Sequence, residues 1–321
     1  FMKKVGFVSL GCPKNLVDSE VMMGELAAAG YEITNNADDA DTVVVNTCGF
    51  IESAKQESIE TILEATRWKS DGRASRVIVA GCLVERYRDE LMAELPEVDA
   101  FIGTSQIGEI LNAADETFDQ KQLTISPIGN KTSTYLYDFD TPRLRATDSY
   151  TAFIKIAEGC DRPCAFCSIP GMRGSFRSRR FGSIIEEARN LGKQGVKELV
   201  LIAQDSSRYG EDLGEVDGLA ALIRALGEIE EIEWVRVMYA YPTHISDAFL
   251  AAIAETPKAV KYLDMPLQHA SRNVLKLMKR GGTRESLEKL IMRVRERVPG
   301  ITIRTTFITG FPDETEEDFE E

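Results

Sequence analysis

Histidine is nearly absent from this 321-residue chain. Only His244 and His269 occur, so a metal site built from histidines is excluded. No run of eighteen apolar residues is present, and no basic stretch followed by an apolar one opens the chain; neither a helical membrane span nor a secretory signal is expected, and a cytoplasmic location is. Positive charge is also scarce. With 38 Lys and Arg against 52 Asp and Glu, the formal net charge of -14 opposes broad attachment to nucleic acid and suits a basic protein partner. Cysteines number only six, and a reducing compartment keeps such thiols from pairing, so metal or redox chemistry is their expected use. Against these absences, 43% of residues are hydrophobic and the length suffices for two domains. Phe1 ahead of Met2 reads as an added or altered start and is set aside.

The most telling stretch is Gly159-Cys160-Asp161-Arg162-Pro163-Cys164-Ala165-Phe166-Cys167, with thiols at spacings of four and three residues. Thiolates are soft ligands suited to iron-sulfur clusters or zinc, and one tight loop can wrap one compact centre. Half a zinc ribbon would need a second CxxC pair, which the chain lacks. Three cysteines on a four-iron cluster leave one iron open to a small molecule, as an open coordination position marks a catalytic metal. This CxxxCxxC spacing resembles the signature of the radical S-adenosylmethionine (SAM) enzymes. The resemblance implies that SAM occupies the open iron and is cleaved by one electron to a 5'-deoxyadenosyl radical.

The amino-terminal third alternates strands and helices. Lys4–Leu10, Thr42–Asn46, Arg76–Ala80 and Ala100–Ile102 read as strands, with helices over Leu16–Ala29, Glu52–Trp68, Val84–Glu94 and Ser105–Ala114. That order implies a parallel sheet covered on both faces. Cys12, Cys48 and Cys82 each follow a strand, where open parallel sheets bind ligands, so three thiols 36 and 34 residues apart in sequence are expected to converge. Each neighbours a glycine (Gly11, Gly49, Gly81), a loop-like setting that favours a second iron-sulfur cluster over three ordinary buried cysteines.

The surrounding residues, Ser9-Leu10-Gly11-Cys12-Pro13-Lys14-Asn15-Leu16-Val17-Asp18-Ser19-Glu20, Asn46-Thr47-Cys48-Gly49-Phe50-Ile51 and Ala80-Gly81-Cys82-Leu83, resemble the methylthiotransferases of the radical SAM superfamily. The CPKNLVDSE and NTCGFI forms are similar to the branch that modifies the β-carbon of an aspartate in a ribosomal small-subunit protein, the twelfth of that subunit; the alternative is a tRNA adenosine methylthiotransferase. The resemblance implies a flavodoxin-like amino-terminal domain (2–120) carrying an auxiliary cluster, a linker or hairpin (121–149), and a partial (β/α)6 radical SAM barrel (150–321). It further implies two 4Fe-4S clusters held by Cys12, Cys48, Cys82 and by Cys160, Cys164, Cys167. One SAM is expected to methylate a cluster-borne sulfur and a second to give the radical, with flavodoxin or ferredoxin as electron donor.

From Thr151 the alternation resumes. Strands are expected over Thr151–Ile156, Glu198–Ala203, Trp234–Tyr239, Val260–Met265 and Ile301–Ile308, with helices over Ile184–Gln194, Leu219–Ile229, Asp247–Glu255 and Arg284–Arg297. In a β/α barrel the chemistry lies at the carboxyl ends of the strands. Position there nominates Gln204, Asp205, Gln268, Arg304 and Gly310 as SAM contacts, with Pro266 and His269 beside them. The family's usual Gly-Gly-Glu is Ala203-Gln204-Asp205 here. Asp205 equally suits a helix cap, His269 a satisfied core histidine and Arg304 an ordinary paired arginine. The basic run Arg173–Arg180 reads either as a solvated loop or as a contact for acidic groups of the substrate. The chain stops at Asp318-Phe319-Glu320-Glu321, in what reads as an opening acidic helix, and relatives of the family are expected to continue into a sixth strand and a small TRAM barrel. A noncatalytic iron-sulfur or zinc scaffold is the competing class.

Overall fold

The computed structural model describes residues 3–36, 39–115, 117 and 135–321. They fall into two units: the chain up to Ala146 together with Ser168–Ser175, and Thr147–Cys167 with Phe176–Glu321.

In the first unit, β1 (Lys4–Ser9), α1 (Pro13–Ala28), β2 (Glu32–Thr34), β3 (Thr42–Thr47), α2 (Glu52–Ser70), β4 (Arg76–Gly81), α3 (Cys82–Glu94), β5 (Ala100–Ile102) and α4 (Ile110–Ala114) follow one another. The five strands form one wholly parallel sheet in the order β2-β1-β3-β4-β5, the flavodoxin-like doubly wound arrangement. All residues of β3 and β4 are buried, as helices on both faces require, which is why those strands read as continuous apolar runs. On one face Val43, Val45, Val77 and Val79 pack with Ile62 of α2 and Leu83 of α3. The sequence did not reveal β2, whose three residues are only half-buried and carry one apolar side chain. The helix expected over Ser105–Ala114 is a 3-10 turn, Thr104–Glu109, running into α4, because Gln106 takes a non-helical backbone. Of the stretch read as linker or hairpin, 121–134 lies outside the described residues, and 135–149 holds neither helix nor strand. The unit also takes in a short helix from further along, α5 (Ile169–Arg173).

The second unit contains β6 (Thr151–Lys155), β7 (Ala157–Glu158), β8 (Arg177–Ser178), α6 (Phe181–Lys193), β9 (Glu198–Ile202), α7 (Gly218–Gly227), β10 (Trp234–Val237), α8 (Asp247–Glu255), β11 (Tyr262–Asp264), α9 (Arg272–Leu277), α10 (Arg284–Arg297), β12 (Thr302–Arg304) and α11 (Glu316–Glu320). Five parallel strands alternate with helices as expected, in two groups, β10-β9-β6 and β11-β12; among the described residues no closed barrel forms. Ile154, Leu199, Leu201, Leu222, Leu250 and Leu263 belong to one continuous core. The strand expected over Ile301–Ile308 is only Thr302–Arg304, since beyond it the pairing shrinks to an isolated bridge between Gln268 and Phe307. Two features had no sequence signal: α9, and the antiparallel clamp of β7 on β8, whose two-residue strands are too short to show a period.

Candidate metal centres

The register of the first sheet places its three cysteines. Ser9 pairs with Asn46 and Asn46 with Ala80, so Cys12, Cys48 and Cys82 stand two or three residues beyond one row of the sheet, at the β1/β3 switch point and its neighbour. Cys12 is extended just before α1, where Pro13 sets the first helical turn, and Cys82 is the first residue of α3. Close approach requires the glycines. At Gly11 (φ 89°) a Cβ would lie 2.8 Å from Cys48 Cβ, and at Gly81 (φ 99°) it would lie 2.6 Å from the carbonyl oxygen of Thr47. Gly49 abuts the backbone of Cys82 in turn.

A buried polar frame ties these loops together. Asn15 Nδ2 donates to the carbonyls of Thr47 (2.8 Å) and Leu10 (3.1 Å), while Asn15 Oδ1 accepts from the Cys82 thiol at 3.5 Å and from Arg173. Asn46 Nδ2 donates to Asn15 O (2.8 Å) and Ser19 Oγ (2.9 Å). Ser58 closes on Cys48, accepting from its N–H and donating to its carbonyl, both at 3.1 Å. Burial pushes the Cys82 thiol up to about 11 and also raises Cys48. At Cys12 burial is outweighed by Lys14 and Arg173 with the N–H groups of Asn15 and Lys14, and its thiol falls below the ordinary value. Arg173 bonds Asp18 at 2.7 Å, both side chains about 5% exposed or less. Neither reading of the basic run holds for it or for Arg179, which is buried against Glu187 at 2.6 Å; their charges are consumed inside the protein.

In the second unit the β7–β8 clamp frames the cysteine loop. Gly159 (φ 82°) turns the chain into Cys160, and Cys167 N–H bonds Cys164 O at 3.1 Å. Ala165 N–H reaches Met278 O at 3.0 Å. Arg280 donates to Cys164 Sγ at 3.7 Å, and the guanidinium groups of Arg280 and Arg162 each lie 4.3 Å from the centre of the Tyr241 ring. Burial raises the Cys160 thiol to about 11. Below the loop, Lys155 and Glu158 form a buried pair at 2.7 Å, and Gln204 Nε2 donates to the same Glu158. Gln204 Oε1, by contrast, is buried with no hydrogen-bond partner.

The other nominated residues are scattered in circumstance. Asp205, 2% exposed, pairs with Arg162 of the cysteine loop at 3.0 Å and accepts from Ser207 Oγ, but makes no cap bond to the helical turn after it. Gln268 takes a positive φ of 75°, and a Cβ on Gly310 would meet nothing within 4 Å. Arg304 pairs with buried Asp264 at 3.0 Å, and His269 accepts from Ser271 N–H at 3.0 Å and faces Glu314. Sequence reasoning missed Asn15, Arg173, Tyr241 and Arg280 as parts of the two sites. Only their spatial partners reveal them.

None of the six cysteines forms a disulfide, and among the described residues no three His, Cys, Asp or Glu side chains are gathered tightly enough to hold a single metal ion. Two soft thiol trios without nitrogen or oxygen donors fit a centre that distributes several irons among its ligands.

Residues 154–321 match the Radical SAM superfamily and residues 4–103 the uncharacterized protein family UPF0004. The radical SAM methyltransferase TsrM from Kitasatospora setae has a similar fold, with a TM-score of 0.66 at 15% identity over 98% of this chain and 69% of its own. The class is therefore that of the radical SAM enzymes. The chain is 53% identical to ribosomal protein uS12 methylthiotransferase RimO of Koribacter versatilis (99% of this chain, 70% of the relative) and 54% identical to that of Solibacter usitatus (99% and 67%). It belongs to the RimO family.

Proposed function

We propose that this protein is a radical SAM methylthiotransferase that adds a methylthio group to an aspartate β-carbon of ribosomal protein uS12. The reading rests on the identity of 53% and 54% to the RimO relatives across 99% of the chain. Cys12, Cys48 and Cys82 would hold one 4Fe-4S cluster and Cys160, Cys164 and Cys167 the other. The clusters and SAM supply the one-electron and sulfur chemistry that side chains cannot, leaving the protein to bind and orient.

Gln204 is the best-supported SAM contact. Its buried, unpartnered Oε1 beside the cysteine loop is an acceptor in need of a donor, and the SAM ammonium group is one. Its Nε2 is held by Glu158, itself paired with Lys155 at 2.7 Å, which fixes the amide's orientation. Asp205 braces the loop through Arg162. Gln268, Arg304 and Gly310 complete the proposed SAM rim, where the open space over Gly310 admits a ligand against the backbone. The domain roles follow: an auxiliary-cluster unit and a SAM unit. The net charge of -14 suits a basic ribosomal protein, and a flavodoxin or ferredoxin would deliver electrons in the cytoplasm.

Anaerobically reconstituted protein, given reductant and SAM, is expected to add a methylthio mass to uS12 and not to tRNA presented in parallel. A gain on tRNA alone overturns the assignment.

A further inference from the structure

The buried cation beside the first thiol trio is not one of its ligands, and the sequence places it far away. Arg173 comes 91 residues after Cys82 and six after Cys167, yet it packs into the first unit through α5. It is 5% exposed, Asp18 3% and Asn15 0%. A charge so desolvated persists only where fixed partners hold it. The two ends of the guanidinium are used differently: one nitrogen bonds Asp18 Oδ2 at 2.7 Å, and the other shares Asn15 Oδ1 with the Cys82 thiol. Asp18 anchors one end of the group, and the other end meets the same Asn15 oxygen that the Cys82 thiol reaches.

We propose that Arg173 is a positioning residue of the first centre: the fixed cation that locks Asn15 under the three sulfurs and offsets the negative charge gathered there when iron is bound. This rests on the reading that Cys12, Cys48 and Cys82 hold a cluster. A cation at fixed distance favours the reduced, more negative cluster, so it raises the reduction potential and helps retain any anionic sulfur ligand on the open iron.

The test uses the full chain with Cys160, Cys164 and Cys167 changed to Ala, so that only the first centre reports. After anaerobic reconstitution, iron and sulfide are assayed and the potential is followed by electron paramagnetic resonance. With Arg173 present, about four irons are expected per chain. Arg173→Gln is expected to lower the potential by about 59 mV, a tenfold change in the one-electron reduction constant, and Arg173→Lys to restore most of it. Asp18→Asn removes the anchor's negative charge but keeps the cation, so its shift is expected to be upward. Opposite signs for the two variants support the proposal. A merely structural pair would move both alike, and equal or absent shifts overturn it. Should Arg173→Gln fail to load iron, loading of Arg173→Lys supports the role of charge, and failure of both overturns it. If the Arg173 protein itself takes up no iron, the cluster reading fails first, and that result is distinct from an intact cluster with an unmoved potential.

Discussion

The two thiol trios are positioned by opposite routes. Cys160, Cys164 and Cys167 lie within eight residues, and one loop, clamped by β7 and β8, positions them. Cys12, Cys48 and Cys82 span 71 residues and are assembled by the register of three parallel strands. The first arrangement is local and depends on what braces a loop. The second is global and depends on the sheet, on close glycine contacts and on the Asn15 network. Damage to the two should therefore differ in kind even where it costs the same activity.

The largest effect is expected from removing ligands. Cys82→Ala and Cys164→Ala should each lower iron from about eight atoms to about four and reduce methylthio transfer on the order of a thousandfold, ~4 kcal/mol in barrier. Reductive cleavage of SAM to 5'-deoxyadenosine separates them: it should survive in Cys82→Ala and vanish in Cys164→Ala. Retention of cleavage in both would mean that the loop is not the SAM centre.

Next in size, Lys155→Met strips the buried Glu158 of its counter-ion (side chains 1% and 3% exposed) and should destabilise the protein by about 3–5 kcal/mol in urea unfolding. Gly81→Ala strikes the other centre. With φ at 99° and Asn46 and Thr47 in the way, about 3 kcal/mol of strain is expected, together with loss of iron from the first centre and retention at the loop. If Gly81→Ala keeps all its iron, the sheet tolerates more movement than its contacts imply.

The smallest effect concerns the iron-free thiols. Since Cys12 lies below the ordinary thiol value and Cys82 is raised to about 11, Cys12 holds more thiolate near neutral pH and should be alkylated about tenfold faster. As pH rises toward 11, Cys82 ionises and the gap should narrow. Mass mapping of iodoacetamide adducts between pH 7 and pH 10 reads this, and a ratio that does not change with pH would contradict it.

The same contrast explains what could be read from residues alone. The apolar runs of β3 and β4 mark buried parallel strands, β1 shows the same apolar character with partial burial, and thiols placed just past the strand ends point to one crevice. Helices with strong periodicity, such as Asp247–Glu255 and Arg284–Arg297, are legible to the residue. Strands of two or three residues, such as β2, β7 and β8, contain too few positions to show a period. The framing groups are hidden for another reason. Arg173 reads as one more charge in a basic run until folding sets it against Asp18 and Asn15, partners 155 and 158 residues away.

The inclusion of Ser168–Ser175 in the first unit has a consequence for how the protein can be divided. A piece ending at Ala146 keeps every strand of the flavodoxin-like sheet and all three of its cysteines, yet it takes away Arg173, which pairs with buried Asp18 at 2.7 Å. The two halves are thus not interchangeable cassettes. This short stitch of chain belongs with the sheet it packs into, although it is encoded after the cysteine loop of the other unit.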